Sequence, residues 1–327
     1  MRGLPAAIAI ALAIAPFGWS AAAHGQDRVA PDSALATLQA RDARLFAVGW
    51  RLATANAPYC EGAVPSLGLA VLDAGGFGDP AKVRRQLRLS GDIAIGSIGP
   101  DSPAARAGLK PNDTLIALNG VTIADRFPAG KPAWQRLIDV AADFDAAAAL
   151  GQVSLVYACA GAGQRTAVID PVPACASRFE VLDGGGKAMA EGTRVIFGRD
   201  FPAFSYPEAE FAAAVSHEFA HNLLHHRMLL DARGRSLGNV RLTEREADRL
   251  MPWLLANAGY DPEAALRFME RWGPRHGGGL FRARTHEGWD ERADAIRAEL
   301  ARIEMVREQG GAADWSTHFQ RETLRQR

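Results

Sequence analysis

Apolar residues recur at helical spacing near the start of the chain, at Leu35, Leu38, Leu45, Val48 and Leu52, and Pro58 closes that pattern. This predicts a helical segment over residues 31–58. From 62 to 160 the period changes. Ile93-Ala94-Ile95-Gly96-Ser97-Ile98 alternates, with Gly and Pro as punctuation, so strands and turns are expected. Gly161 to Asp170 reads as a connecting loop. The helical period then returns. Phe211, Ala212, Ala214, Val215, Phe219, Leu223 and Leu224 mark one helix, and a second runs to about Asn257. Ser205-Tyr206-Pro207-Glu208 reads as the start of the first, with a capping Ser, Pro in the first turn, and Glu three residues after the Ser. The pattern predicts an α+β chain: a β-rich unit over 62–160, a mainly helical unit over 170–305, and a tail over 306–327.

Met1-Arg2, an apolar run from Leu4 to Trp19, and Ala21-Ala22-Ala23 together predict a signal peptide over residues 1–23, with cleavage after Gly25 as the alternative. No Cys follows to carry a lipid. Pro5 and Pro16 interrupt the run, which is short for a membrane span. The expectation is an exported protein, periplasmic or secreted, with no stable span after signal removal. Lys plus Arg and Asp plus Glu each number 37, and this balance suggests neither a nucleic-acid partner nor an anionic membrane surface. Three Cys in an oxidising compartment allow one disulfide and one leftover thiol. Cys60 with Cys175 is the expected pair and Cys159 with Cys175 the rival. No CxxC spacing exists, so Cys-ligated zinc is not expected.

His217-Glu218-Phe219-Ala220-His221 is an HExxH motif inside the first long helix of the second unit. Two His four apart share one helix face, roughly 6 Å apart along the axis, so both imidazoles can bind one zinc ion. Glu218 can then serve as the general base toward a water. A buried helix with two hydrogen-bonded His is the plain alternative, but a Glu beside them is costly there without a task. A third ligand must come from elsewhere. Glu244 and Asp248 lie four apart on the second helix. Glu244 would complete a two-His, one-Glu set with an open fourth position, and Asp248 would orient a ligand His. Glu246 points elsewhere and reads as a solvated charge. His225 lies roughly 12 Å along the axis from His217, too far to share an ion, and His226 is likewise poorly placed. His286 follows a Gly-rich stretch and suits gating better than permanent ligation.

HExxH followed by ExxAD resembles the HtpX and CAAX-prenyl-protease family of gluzincin metallopeptidases. Gly259-Tyr260-Asp261-Pro262-Glu263-Ala264-Ala265 resembles the turn after the second helix in its soluble members. Thr285-His286-Glu287 with Glu291-Arg292 resembles the family's THPxxxxR element, and Lys187 to Ala190 with Thr193 to Phe197 looks like the strand region before the active-site helix. The resemblance covers residues 170–305. It implies a mainly α zincin-type domain with a small substrate-edge sheet, one Zn2+ on His217, His221 and Glu244, and Glu218 as catalytic base. It also implies that His286 approaches the metal site, to steady an oxyanion or gate the metal; a structural role for His286 stays open. Lys187, Glu287 and the Arg249-Leu250-Met251-Pro252 run depart from the family pattern. The strand over Thr193 to Phe197 is expected to present its edge to substrate.

Ser102 to Gly120 resembles a PDZ domain, with SPAxxAGL as its short helix and Asn112-Asp113 where Gly-Asp is usual. The resemblance implies a PDZ-like β-sandwich or barrel over 62–160, with Trp134 to Ala149 as its longer helix and Gln152 to Cys159 as its closing strand. It also implies binding of a C-terminal peptide by strand addition. Ser66-Leu67-Gly68-Leu69 matches the carboxylate-binding loop, with Gly68 allowing the tight loop and Leu67 and Leu69 lining a pocket. Packing on the helical unit, with no peptide bound, is the other reading. Together the two units point to a zinc-dependent endopeptidase of the cell envelope, acting on polypeptide substrates in protein quality control with PDZ-assisted recognition. The competing reading is a PDZ-based peptide-binding or chaperone-like protein with a latent or self-inhibited site.

Overall fold

The computed structural model describes residues 31–130, 132–159, 162–276 and 288–322. The expected signal peptide, residues 1–23, lies outside them. The first half contains α1 (Pro31–Ala55), β1 (Val64–Ser66), β2 (Leu69–Asp73), α2 (Pro80–Leu87), β3 (Ile93–Ile98), α3 (Pro103–Arg106) and β4 (Thr114–Leu118). There follow β5 (Val121–Thr122), α4 (Ile123–Arg126), α5 (Ala133–Ala149), β6 (Val153–Cys159), β7 (Ala162–Ile169), β8 (Val172–Ala174), β9 (Arg178–Leu182), β10 (Ala188–Ala190) and β11 (Arg194–Gly198). The rest is helical: α6 (Glu208–Leu223), α7 (His226–Arg233), α8 (Leu237–Asn257), α9 (Ala264–His276), α10 (Trp289–Glu308) and α11 (Trp315–His318). The architecture is mixed α/β.

The alternating runs of the first unit form a sheet of order β2-β3-β4-β6-β7, with β5 paired to β4. Inward residues such as Ile95, Leu115, Leu155 and Val153 are buried against Val140 and Phe144 of α5. Asn112, standing where the family pattern has Gly, takes a left-handed φ of 71°, a conformation Asn tolerates far better than a branched residue does. The stretch 162–169, expected as a loop, is strand β7, antiparallel to β6. Its later residues, Thr166-Ala167-Val168-Ile169, alternate exposed and buried, and that pattern outweighs the Gly residues before them.

Strand β1 stands outside this sheet. It pairs with β8, Ser66 opposite Val172, so the chain leaves and re-enters the helical unit at adjacent points. A disulfide joins Cys60 to Cys175 beside this ribbon, with Cα atoms 5.7 Å apart, and Cys159 is a free thiol.

Helix α1 is no separate segment. Leu45, Val48 and Leu52 are buried in one core with Phe179, Phe219, Leu250 and Trp253. Each such fully buried side chain is worth roughly 2 kcal/mol of transfer free energy. The opposite side of α1 meets the first unit, where Trp50 Nε1 donates to the Pro100 carbonyl at 3.1 Å and Gln39 Nε2 to Asn112 Oδ1 at 2.9 Å. Of the segment expected as a tail, 306–327, the described residues 306–322 do not stand apart from the helical unit. Helix α10 runs on to Glu308, and Ala313, Trp315 and Phe319 are buried in the main core. Trp315 Nε1 donates to Asn56 Oδ1 at 3.1 Å, holding this segment to the end of α1.

The small sheet has the order β10-β11-β9. Strand β11 lies in the middle, antiparallel to β10 and parallel to β9. The expected edge over Thr193 to Phe197 is therefore internal, and Ala188–Ala190 is an edge. Among the described residues, no helix is long and apolar enough to cross a membrane.

Candidate metal centre

Helix α6 begins at Glu208 with Pro207 at its cap, not at Ser205. Ser205 belongs to a preceding turn and donates its hydroxyl to the Pro202 carbonyl at 2.8 Å, so its side chain faces away from the helix amides. Phe211, Val215 and Phe219 bury one face of α6 in the core. That leaves His217, Glu218 and His221 lining a cleft of about 780 Å³. Helix α8 packs across α6, and its four-residue spacing brings Glu244 to the same cleft and Asp248 behind it, against His217.

His217 Nε2 and His221 Nε2 are 3.3 Å apart. Glu244 lies 3.5 Å from the first of these nitrogens and 3.7 Å from the second. Donors at about 2.1 Å from a tetrahedral ion stand roughly 3.4 Å from one another. Two imidazole nitrogens and a carboxylate at these spacings fit a zinc-sized cation. Among the described residues, these three form the group of His, Cys, Asp or Glu side chains able to hold a metal.

Both rings are held from behind. His217 Nδ1 lies 3.0 Å from Oδ1 of the wholly buried Asp248, at an angle bent from the ideal line. Asp248 is gripped at both oxygens by Arg292, Nη2 to Oδ1 at 2.8 Å and Nε to Oδ2. Burial favours a neutral Asp248, but Arg292 and His217 outweigh it and hold the carboxyl below the ordinary range. Burial likewise opposes charge on His217, yet Asp248 and Glu244 raise it to about 10. A cation entering here must displace that proton. Burial lowers His221 to about 3 and raises Glu218 to about 7.

Behind His221 is a feature the motif spacing does not reveal. His225 has a left-handed φ of 55° and ends the helical path, so α7 turns back beneath α6. His226 then brings its Nδ1 to 2.9 Å from His221 Nδ1, and its Nε2 to 3.0 Å from Glu246 Oε2. Counting distance along the α6 axis misplaces His226 because that axis stops before it. Glu246 is not solvated: it is 1 % exposed and also accepts from Arg321 and from the Glu322 amide. Burial raises its pKa, and the hydrogen bonds of His226 and Arg321 more than reverse this, to about 2. His225 is exposed and away from the cluster. His286 lies outside the described residues.

Edge strand β10 runs along the cleft, with Lys187, Met189 and Glu191 among its lining, and the aromatic rings of Phe201, Phe268 and Trp272 form another wall. In the first unit, Gly68 has a φ of 71°, and a Cβ there would run into Ser102. The Gly68 carbonyl accepts from the Gly99 amide at 2.9 Å, and that of Leu67 from the Ala104 amide at 3.0 Å. Leu67 is buried in the core of that unit, while Leu69, at the start of edge strand β2, is half-buried.

A PDZ domain is found at residues 95–144, which match the family model of that domain. It points to peptide or protein binding. No curated protein matches the chain.

Proposed function

We propose that this chain is an exported zinc endopeptidase acting on polypeptides, resembling the gluzincin metallopeptidases, with its PDZ domain assisting substrate recognition. The observation that carries this reading is the cluster of His217, His221 and Glu244 donor atoms at tetrahedral spacing, with Glu218 in the same cleft. Zinc in that cluster would acidify a water and polarise the scissile carbonyl. Glu218 would accept the proton of the attacking water and return it to the leaving amine. Asp248 and Arg292 keep the His217 ring facing its partners. An extended substrate segment would add to the open edge of β10 by main-chain hydrogen bonds, with side chains set against Phe268 and Trp272. The disulfide favours an oxidising compartment, periplasmic or extracellular.

The test is metal analysis and proteolysis on one preparation of the full-length protein. The expected result is one zinc per chain and chelator-sensitive cleavage of an unfolded protein. A metal-free protein that leaves such a substrate intact on zinc addition overturns the reading.

A further inference from the structure

The two histidines of the pair are supported in different ways. A carboxylate, Asp248, stands behind His217. An imidazole, His226, stands behind His221, with its own carboxylate, Glu246, one step further. His226 and Glu246 are each 1 % exposed, so solvent cannot substitute for these contacts. The hydrogen-bond inventory orders the protons. Glu246 already accepts from Arg321 Nε and Nη2, at 2.9 and 3.0 Å, and from the Glu322 amide at 2.6 Å. It therefore acts as an ionised acceptor, and the proton in its contact with His226 sits on His226 Nε2. Two Nδ1 atoms at 2.9 Å need one N–H and one lone pair between them. With His226 Nδ1 accepting, His221 Nδ1 donates, and the lone pair of His221 Nε2 faces His217 and Glu244. The opposite assignment would put a proton where a ligand lone pair is required.

Arg321 joins a second element to this chain of contacts. Its Nη2 also donates to the Leu224 carbonyl at 3.1 Å, where α6 ends. One guanidinium thus holds the Glu246 carboxylate and the end of the helix that carries both histidines. Phe319 and Trp315, buried in the main core, anchor the segment that delivers it.

We propose that His226 and Glu246 are positioning residues for His221, and that the C-terminal segment Trp315–Glu322 closes this support through Arg321, making it part of the metal centre. The inference rests on the reading that His217, His221 and Glu244 hold a metal. It assigns a function to a segment that carries no metal motif.

The experiment is a zinc titration of the full-length protein against a competing chelator, with melting of the metal-free form recorded alongside. Variants are His226→Phe, His226→Gln and Arg321→Ala. His226→Phe keeps a ring but removes both contacts, and should weaken zinc binding by roughly 10–100-fold. His226→Gln retains one acceptor and one donor and should recover most of that loss. Arg321→Ala alters a half-exposed side chain, which folding should tolerate, and should weaken binding by about tenfold. A support that matters only for the fold would lower the metal-free melting temperature and leave zinc affinity alone. That result in His226→Phe and Arg321→Ala overturns the proposal. Should His226→Phe not fold, Arg321→Ala decides: wild-type affinity there overturns it. Wild-type protein that binds no zinc removes the functional reading and this inference together, whereas zinc-binding wild type with unaltered variants removes this inference alone.

Discussion

Asp42 of α1 accepts the Ser97 hydroxyl of β3 at 2.8 Å through one oxygen, and the Val181 amide of β9 at 3.0 Å through the other. One carboxylate thus ties the PDZ sheet to the small sheet of the helical unit. Burial raises its pKa above the ordinary carboxylate value, more than the two hydrogen bonds lower it. A raised folded-state pKa means that the folded protein holds the proton more tightly than the unfolded chain. The stability from this group is present at acid pH and lost as pH rises through the folded value. Asp42→Asn keeps an acceptor for Val181 and a donor for Ser97 without the charge. Its melting temperature should gain on wild type as pH rises from about 4 to 7. Melting curves across that range decide it, and a gap that shrinks with pH contradicts the burial argument.

Glu218→Gln keeps size and burial but loses the proton acceptor. Zinc content should stay at the wild-type level while the cleavage rate falls by about 10²–10⁴. Both are measured on one sample, and near wild-type rates with zinc bound would remove Glu218 as base.

Glu244→Ala removes a donor, whereas Asp248→Asn leaves all three donors and disturbs only the grip on His217. Asp248→Asn should weaken zinc binding by roughly 10–100-fold, and Glu244→Ala should weaken it further. Chelator competition gives the order, and wild-type affinity in Glu244→Ala sinks its assignment as third donor.

Ser66 and Val172 face each other across β1 and β8, so residues 67–171 can be replaced by a short Gly-rich linker without stretching the helical unit. If the PDZ domain delivers substrate, the excised protein should cleave a short peptide at near wild-type rate and an unfolded protein more slowly. Equal loss on both, measured by product release, makes the domain a structural support.

The elements legible from sequence were those written locally. The spacing of His217 with His221 and of Glu244 with Asp248 is written as four-residue steps on helices, and the PDZ domain was legible through the resemblance of the Ser102 to Gly120 run. What stayed hidden depended on partners distant in sequence. Glu246 looks solvated until Arg321 and Glu322 arrive beside it, 75 and 76 residues later. The bend at His225 lacks a Gly or Pro signal, because a His takes the left-handed conformation there. Strand β10 has three residues, too few for a periodic signal, so the longer β11 drew the substrate edge to itself.

Helix α1 is synthesised first and completes a core whose other walls, α6 and α8, come more than a hundred residues later. As the chain emerges, the apolar stripe of this helix at Leu45, Val48 and Leu52 has no native partner until the intervening β domain has passed. The β domain can finish folding on local contacts in that interval. The helical unit cannot mature stepwise, and its first helix keeps an apolar face uncovered until the last helices follow.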